Sequence, residues 1–388
     1  MKTVYPIFTL WLVMLLILSG EKSNAQEEKF SLDAALTKDA INNMNGGIKR
    51  GHAFLGLIDL GFNINTEQLN LWENGNFYLH IQNTYGQTPT ENLVGDIQVF
   101  SNIENGTYTY LYQFWYKHQK ENFSFIAGKH DMNEEFFTSE LAGEYINSSF
   151  GIMPTASLNV PVSIFPYTTL GFVGNYKINE TFEAKVGIYN GIPGEITHSN
   201  FGTDLNLKKQ NGLFYVGELH LHDIFQNNPG TYKVGLFHHS GKFDNVLNTE
   251  KEKKGLSGFY FIADQMIFTT DKSNDRGLGT MLQAGYSPNK NSINDYYLAY
   301  GLNYSGIFQK NQNDMLGIAI AHASMNNSSL TKEESGYASC ETAFEMIYKL
   351  QIFNNLSIQP NIQYILHPGM KKTRENALVG LLRLQWNY

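Results

Sequence analysis

Glu218, His220 and His222 alternate with Leu219, Leu221 and Asp223. Successive side chains of a strand point to opposite faces, so these three would project together. One carboxylate and two imidazoles at i, i+2 and i+4 could hold a divalent metal ion. The plainer reading is three polar side chains facing water while the leucines face an apolar phase, since no fourth ligand or supporting partner can be named. His238-His239-Ser240 sets a base beside a nucleophile, but neighbours on a strand point apart and no Gly-x-Ser-x-Gly elbow exists. Gly235 with Gly241-Lys242 resembles a phosphate loop. There the gap between the glycines is one residue too long, and Phe243 stands where Ser or Thr is needed. No His-Glu-x-x-His occurs. Catalysis has no firm footing, and the expected cofactor complement is none.

A broader pattern of uncharged polar groups reads better. Gln82, Thr84, Gln113, Ser357, Gln359, Asn361, Gln363 and Gln385 fall on the polar faces of alternating segments, among scattered Glu183, Lys185, Glu345, Lys349 and Arg383. Amides and hydroxyls both donate and accept, so they can replace water around a polyhydroxylated solute without holding an ion. Mixed charges give no strong field of one sign. Trp115, on the polar face of its segment, offers a flat surface to a sugar ring, or else is a rim aromatic. This set suits small neutral polar solutes more than ions.

Such a face needs strands, and the period of two is the clearest signal in the chain. Phe182, Ala184, Val186 and Ile188 alternate with Glu183, Lys185, Gly187 and Tyr189; Leu356, Ile358, Ile362 and Tyr364 oppose Ser357, Gln359, Asn361 and Gln363. Tyr108, Tyr110, Tyr112, Phe114 and Tyr116 share one predicted face. The apolar faces are capped by Tyr and Trp, the residues of membrane–water boundaries. The chain ends on an alternating strand closed by Trp386 and Tyr388. Segments such as Asn245–Gly255 and Asp271–Gly277 read as connections.

Of 388 residues, 42% are apolar and only 16% charged, with 41 Asn carrying much of the polarity. That excludes a disordered chain, and the net charge of −8 argues against a nucleic-acid partner. A single cysteine, Cys340, excludes an internal disulfide framework. Lys2, the apolar run Ile7–Leu18 and Ser23-Asn24-Ala25 predict a signal peptide over residues 1–25. Residues 26–50 are expected to be a periplasmic segment with a short helix capped by Ser31 and stopped at Gly46-Gly47. Residues 51–388 then form the barrel: all-β, transmembrane, antiparallel. At about 22 residues per strand and connection, ~16 strands are expected, wide enough for an aqueous lumen.

Several segments in order resemble one family over nearly the whole mature chain. They are Gly46-Gly47-Ile48-Lys49-Arg50-Gly51, Trp72 to Phe77, Ala127-Gly128-Lys129-His130-Asp131-Met132-Asn133, Asn147 to Gly151, Tyr189 to Gly194 and Ile358 to Gly369. With Glu341, Glu345 and Arg383, these are similar to the carbohydrate-selective porins of OprB type. The resemblance implies a 16-stranded outer-membrane barrel passing small sugars inward without an energy source. Where the family has an Arg shortly before an Asp, this chain has Gln309 and Lys310 before Asp314. Trp115, Lys129, Asp131, Glu345, Gln359, Gln363 and Arg383 are the residues expected in the lumen or its constriction. Lys129 and Asp131 share a face if their strand persists. The expected partners are small neutral sugars, outer-membrane lipid and lipopolysaccharide, and the barrel-assembly machinery. A general size-limited porin, a non-conducting scaffold or adhesin, and an outer-membrane hydrolase stand as alternatives.

Overall fold

The computed structural model describes residues 29–225, 228–245, 248–271, 276–289, 292–307, 314–326 and 336–388. The expected signal peptide, and Gln309 and Lys310, lie outside the described residues. The first eight strands are β1 (Phe30–Gly47), β2 (Gly51–Asn65), β3 (Gly75–Gly86), β4 (Tyr108–Lys120), β5 (Phe123–His130), β6 (Thr169–Lys177), β7 (Phe182–Asn190) and β8 (Leu213–His222). The second eight are β9 (Gly230–Asn245), β10 (Asn248–Asp271), β11 (Arg276–Tyr286), β12 (Tyr296–Ser305), β13 (Met315–Ser324), β14 (Cys340–Phe353), β15 (Leu356–Leu366) and β16 (Glu375–Asn387). Each pairs antiparallel with its sequence neighbours, and β1 also pairs with β16, so the sheet closes into a barrel of 16 strands. No helix among the described residues is long and apolar enough to cross a membrane.

The wall inverts the usual soluble pattern. Phe54, Val186, Leu219, Leu236, Phe259 and Leu298 stand exposed on its outer surface, while Thr84, Gln113, Gln283, Glu341 and Gln363 are fully buried inside. A shallow apolar hollow of about 440 Å³ on the outer face of β12–β16, lined by Tyr300, Ile318, Phe344 and Met346, belongs to this belt. Apolar side chains outside and hydrogen-bonding ones inside are what a strand crossing hydrocarbon around a polar interior requires.

Three local expectations are corrected. The N-terminal segment is not a periplasmic helix: Phe30–Gly47 is β1, whose Thr37, Asp39, Ile41 and Asn43 are buried between exposed Lys38, Ala40 and Asn42. Without it β2 and β16 would each present an open edge, and every unpaired backbone group in hydrocarbon costs several kcal/mol. One capping serine cannot compete with that. β10 begins at Asn248, inside the segment read as a connection. Its first residues lack an apolar alternation, and a strand needs one only where it meets lipid. In β4, Ile81 pairs with Leu111 and His80 with Gln113, so Tyr112 is the extra residue of a β-bulge. The bulge changes parity. Tyr110 and Tyr112 are buried inside, whereas Phe114 is 52% exposed outside, which splits the predicted aromatic face.

Candidate functional site

Two connections at the end of the barrel opposite Phe30 and Asn387 fold into its interior. Residues 131–168, the longer, join β5 to β6, and residues 87–107 join β3 to β4. Buried carboxylates and amides of the wall receive them. Glu345 accepts from the backbone N–H of Ile146 at 2.7 Å and Asn147 at 3.1 Å, and from Asn361 Nδ2 at 2.5 Å. Glu218 accepts from Phe137 N–H at 2.7 Å and the Tyr260 hydroxyl at 2.5 Å. Asp264 accepts from Ser139 Oγ at 2.6 Å and Glu140 N–H at 3.0 Å. Gln359 Nε2 donates to the Glu144 carbonyl at 2.8 Å. The shorter loop is held by Glu341, which accepts from Ile97 and Gln98 N–H at 3.0 Å each. Gln363 Nε2 donates to the Phe100 carbonyl at 2.7 Å. The wall is also relieved of bulk where the longer loop presses on it: a Cβ on Gly187 would stand 2.7 Å from a ring carbon of Phe136, closer than packed side chains tolerate.

Between the loops lies a cavity of about 400 Å³, the size of a small-molecule site. Gln98, Ser101, Asn102, Glu104, Asp131 and Asn133 give it hydrogen-bonding groups, and Ile152, Ile164 and Phe165 give it apolar surface. An aromatic column leads to it along β3 and β4. Trp115 lies 5.0 Å from Tyr78, Tyr78 5.7 Å from His80, His80 5.2 Å from Tyr112, and Tyr112 6.2 Å from Phe165, centroid to centroid.

The carboxyls of the two loops share an electrostatic character. Burial pushes Asp131 up to about 6 even though the Tyr112 hydroxyl and Asn133 N–H stabilise its anion. Glu134, whose side chain keeps 46% of its surface, is pushed up to about 8 by desolvation within the lumen first and then by the charge of Asp131. Burial likewise takes Glu104 up to about 7, against hydrogen bonds from Thr90. Desolvation disfavours the charged form in each case, so near neutrality the passage is less anionic than its carboxyl count suggests.

Of the residues singled out from sequence, Asp131 lines the cavity. Trp115 faces the interior, half-buried, and its Nε1 donates to Gln113 Oε1 at 3.2 Å. Glu345, Gln359 and Gln363 face inward and are taken up by loop backbone. Arg383 makes a two-pronged pair with Asp39, 2.8 Å on each branch, across the β1–β16 seam. Lys129 does not share a face with Asp131, because β5 ends at His130. Its cross-strand partners are the outward-facing Phe114 and Leu170. Its ammonium donates to the Tyr112 carbonyl at 3.1 Å and to Thr168 Oγ1, filling the gap where the longer loop leaves the wall. Sequence reasoning missed Gln98, Asn102 and Glu104. Their one signal is a run of polar residues set between Val94, Phe100 and Ile103.

The fold is similar to that of OprB of Pseudomonas putida in its high-pH structure. The TM-score is 0.78 at 20% identity, covering 93% of this chain and 94% of that one. A porin from Rhodopseudomonas blastica shares the architecture more distantly, with a TM-score of 0.53 at 10% identity over 92% of this chain and all of that one. Porin B of Pseudomonas aeruginosa is 21% identical over 418 aligned residues, spanning 94% of this chain and 89% of its own. The model of the carbohydrate-selective porin, OprB family, matches residues 49–388. With that match running from β2 to the last residue of the chain, this protein belongs to the OprB family of carbohydrate-selective porins.

Proposed function

We propose that the protein lets small neutral sugars diffuse passively through the lumen, selected at the cavity between the two in-folded loops. As a porin-family barrel it is an outer-membrane channel protein of Gram-negative type, and its family and fold point to transport rather than catalysis. Residues 1–25 are proposed to direct export. The observation that carries the sugar reading is the cavity's lining. Amide groups of Gln98, Asn102 and Asn133 can exchange hydrogen bonds with a sugar as it sheds water. Burial raises the carboxyls of Asp131 and Glu104 to about 6 and about 7, so at neutral pH the two carry less negative charge than free carboxylates would. The column from Trp115 to Phe165 offers apolar faces to sugar rings on the way. Contacts of this kind are individually weak, as a conducting site needs them to be. Of the residues expected from sequence, Trp115 and Asp131 are proposed to meet solute directly. Glu345, Gln359 and Gln363 are proposed to shape the passage by holding the loops, and Arg383 by closing the seam.

Swelling of liposomes carrying the refolded protein tests this. Glucose should enter faster than an amino acid of similar size and faster than a charged solute. Entry governed by size alone would leave a general porin. No swelling from folded protein would leave a closed barrel and return the scaffold reading.

A further inference from the structure

The inner wall carries a constellation outside the lining of the cavity, toward the end of the barrel where β1 begins and β16 ends. Glu183 is the second residue of β7, and His220 and His222 close β8. Glu183 and His220 are directly paired across the two strands, and His222 follows His220 on the same face. The ligand atoms of all three lie within 4.8 Å of one another, and His222 Nε2 is already 3.5 Å from Glu183 Oε2.

The second nitrogen of each ring has its own partner. His220 Nε2 is 2.5 Å from Glu218 Oε2, which leaves Nδ1 as the free lone pair. Glu218 is itself fixed by Phe137 N–H and the Tyr260 hydroxyl, so it orients the ring and cannot swing away. His222 Nδ1 is 3.3 Å from Thr231 Oγ1 of the neighbouring strand, which leaves Nε2. Imidazoles held by a carboxylate or hydroxyl on one nitrogen and free on the other are the arrangement of metal-ligating histidines. The i, i+2, i+4 spacing in the sequence groups Glu218 with the two histidines as a candidate ligand. The structure makes it the support, and supplies the missing carboxylate from β7.

We propose that Glu183, His220 and His222 bind a late first-row divalent cation, with zinc the representative ion, in a three-ligand site with one position open to lumen water. Two imidazoles and one carboxylate suit zinc and its neighbours and not calcium or magnesium, which take oxygen. Metal–ligand lengths of 2.0–2.2 Å require the donor atoms to close to about 3.3 Å, a matter of small side-chain rotations. The side chains of His222 and Glu183 keep 30% and 17% of their surface, so an ion can enter from the barrel mouth. Two ammonium groups face the site. Lys185 lies 3.8 Å from Glu183 Oε1 but is held at 2.8 Å by Glu135, and Lys233 donates to Thr138. Both are thereby drawn toward the longer loop, and Glu183 Oε2 is left for the metal.

The test uses the full barrel, refolded in detergent and stripped with chelator, titrated with Zn²⁺ by calorimetry and with Co²⁺ by visible absorption. Zinc should saturate at one ion per barrel, and cobalt should give the intense visible bands of a four-coordinate site. Glu183→Gln and His222→Ala should each weaken binding by about tenfold or more, while His52→Ala, on the exposed rim, should not. Heat-dependent gel mobility verifies that each variant is a closed barrel. Absence of saturable binding to the folded wild type would overturn the proposal. So would wild-type affinity in Glu183→Gln and His222→Ala.

Discussion

Truncating Glu345 tests whether the longer inner loop sets what passes. In Glu345→Ala, the amides of Ile146, Asn147 and Asn361 lose their acceptor at a position 2% exposed. An orphaned buried donor costs about 1–3 kcal/mol. Three would cost up to about 9 if none were rescued, but water can enter from the lumen, so the lower end, about 3 kcal/mol, is the working figure. That is on the order of a hundredfold in the ratio of docked to released loop. The release should be local to residues 144–150, because Glu218 and Asp264 continue to hold Phe137 and Glu140. The barrel should stay closed, since β14 keeps its backbone pairing with β13 and β15. Single-channel conductance should rise and become noisier, and liposome swelling should lose its preference for glucose over an amino acid of similar size. Glu345→Gln, which retains one carbonyl acceptor, should fall between. A folded Glu345→Ala barrel with wild-type conductance and discrimination would refute the reasoning: either the loop is not held by this carboxylate, or it does not bound the path.

Trp115→Ala should lower glucose flux several-fold while leaving potassium chloride conductance nearly unchanged, because the ring is proposed to meet solute and carries no charge; equal losses in both would indicate collapse of the wall. Charge selectivity should depend on pH. Asp131, Glu104 and Glu134 have carboxyls raised to about 6, 7 and 8, so they are mostly protonated at pH 5.5 and ionise in turn as pH rises to 9. Bilayer reversal potentials should therefore show potassium increasingly favoured over chloride across that window, and Glu134→Gln should remove its upper part. A ratio independent of pH would place these carboxyls off the ion path. Arg383→Ala strands the Asp39 carboxylate, whose side chain is wholly buried, in the β1–β16 seam. Breaking a buried pair from one side costs about 3–5 kcal/mol. The temperature at which the barrel loses its compact gel mobility should fall, and Asp39→Asn in the same chain should restore part of the loss.

The legible and illegible parts of this molecule divide along one physical line. A strand between lipid and a polar interior must alternate, so Phe182–Ile188 and Leu356–Leu366 declare both their conformation and which side faces inward. Where one residue is added, as at Tyr112, parity flips and alternation misleads, because the bulge is a property of the pairing with His80 and Ile81 and not of β4 alone. β1 was hidden for a related reason: its stability comes from two edges, β2 and β16, that lie at opposite ends of the chain. The site shows the same limit. Glu345, Gln359 and Gln363 were legible as inward and polar, but inward did not mean wet. What covers them is chain about 200 residues earlier, brought across the lumen as a loop whose sequence has no period to announce it. Alternation reports the wall a residue belongs to, and it is silent on what the interior is filled with. The residues that meet the cavity are accordingly drawn mainly from the loops, where composition alone gives little purchase. Glu183 shows the same limit from the other direction: in sequence it is one more polar position of an alternating segment, and only the register sets it opposite His220, with His222 Nε2 3.5 Å from its carboxylate.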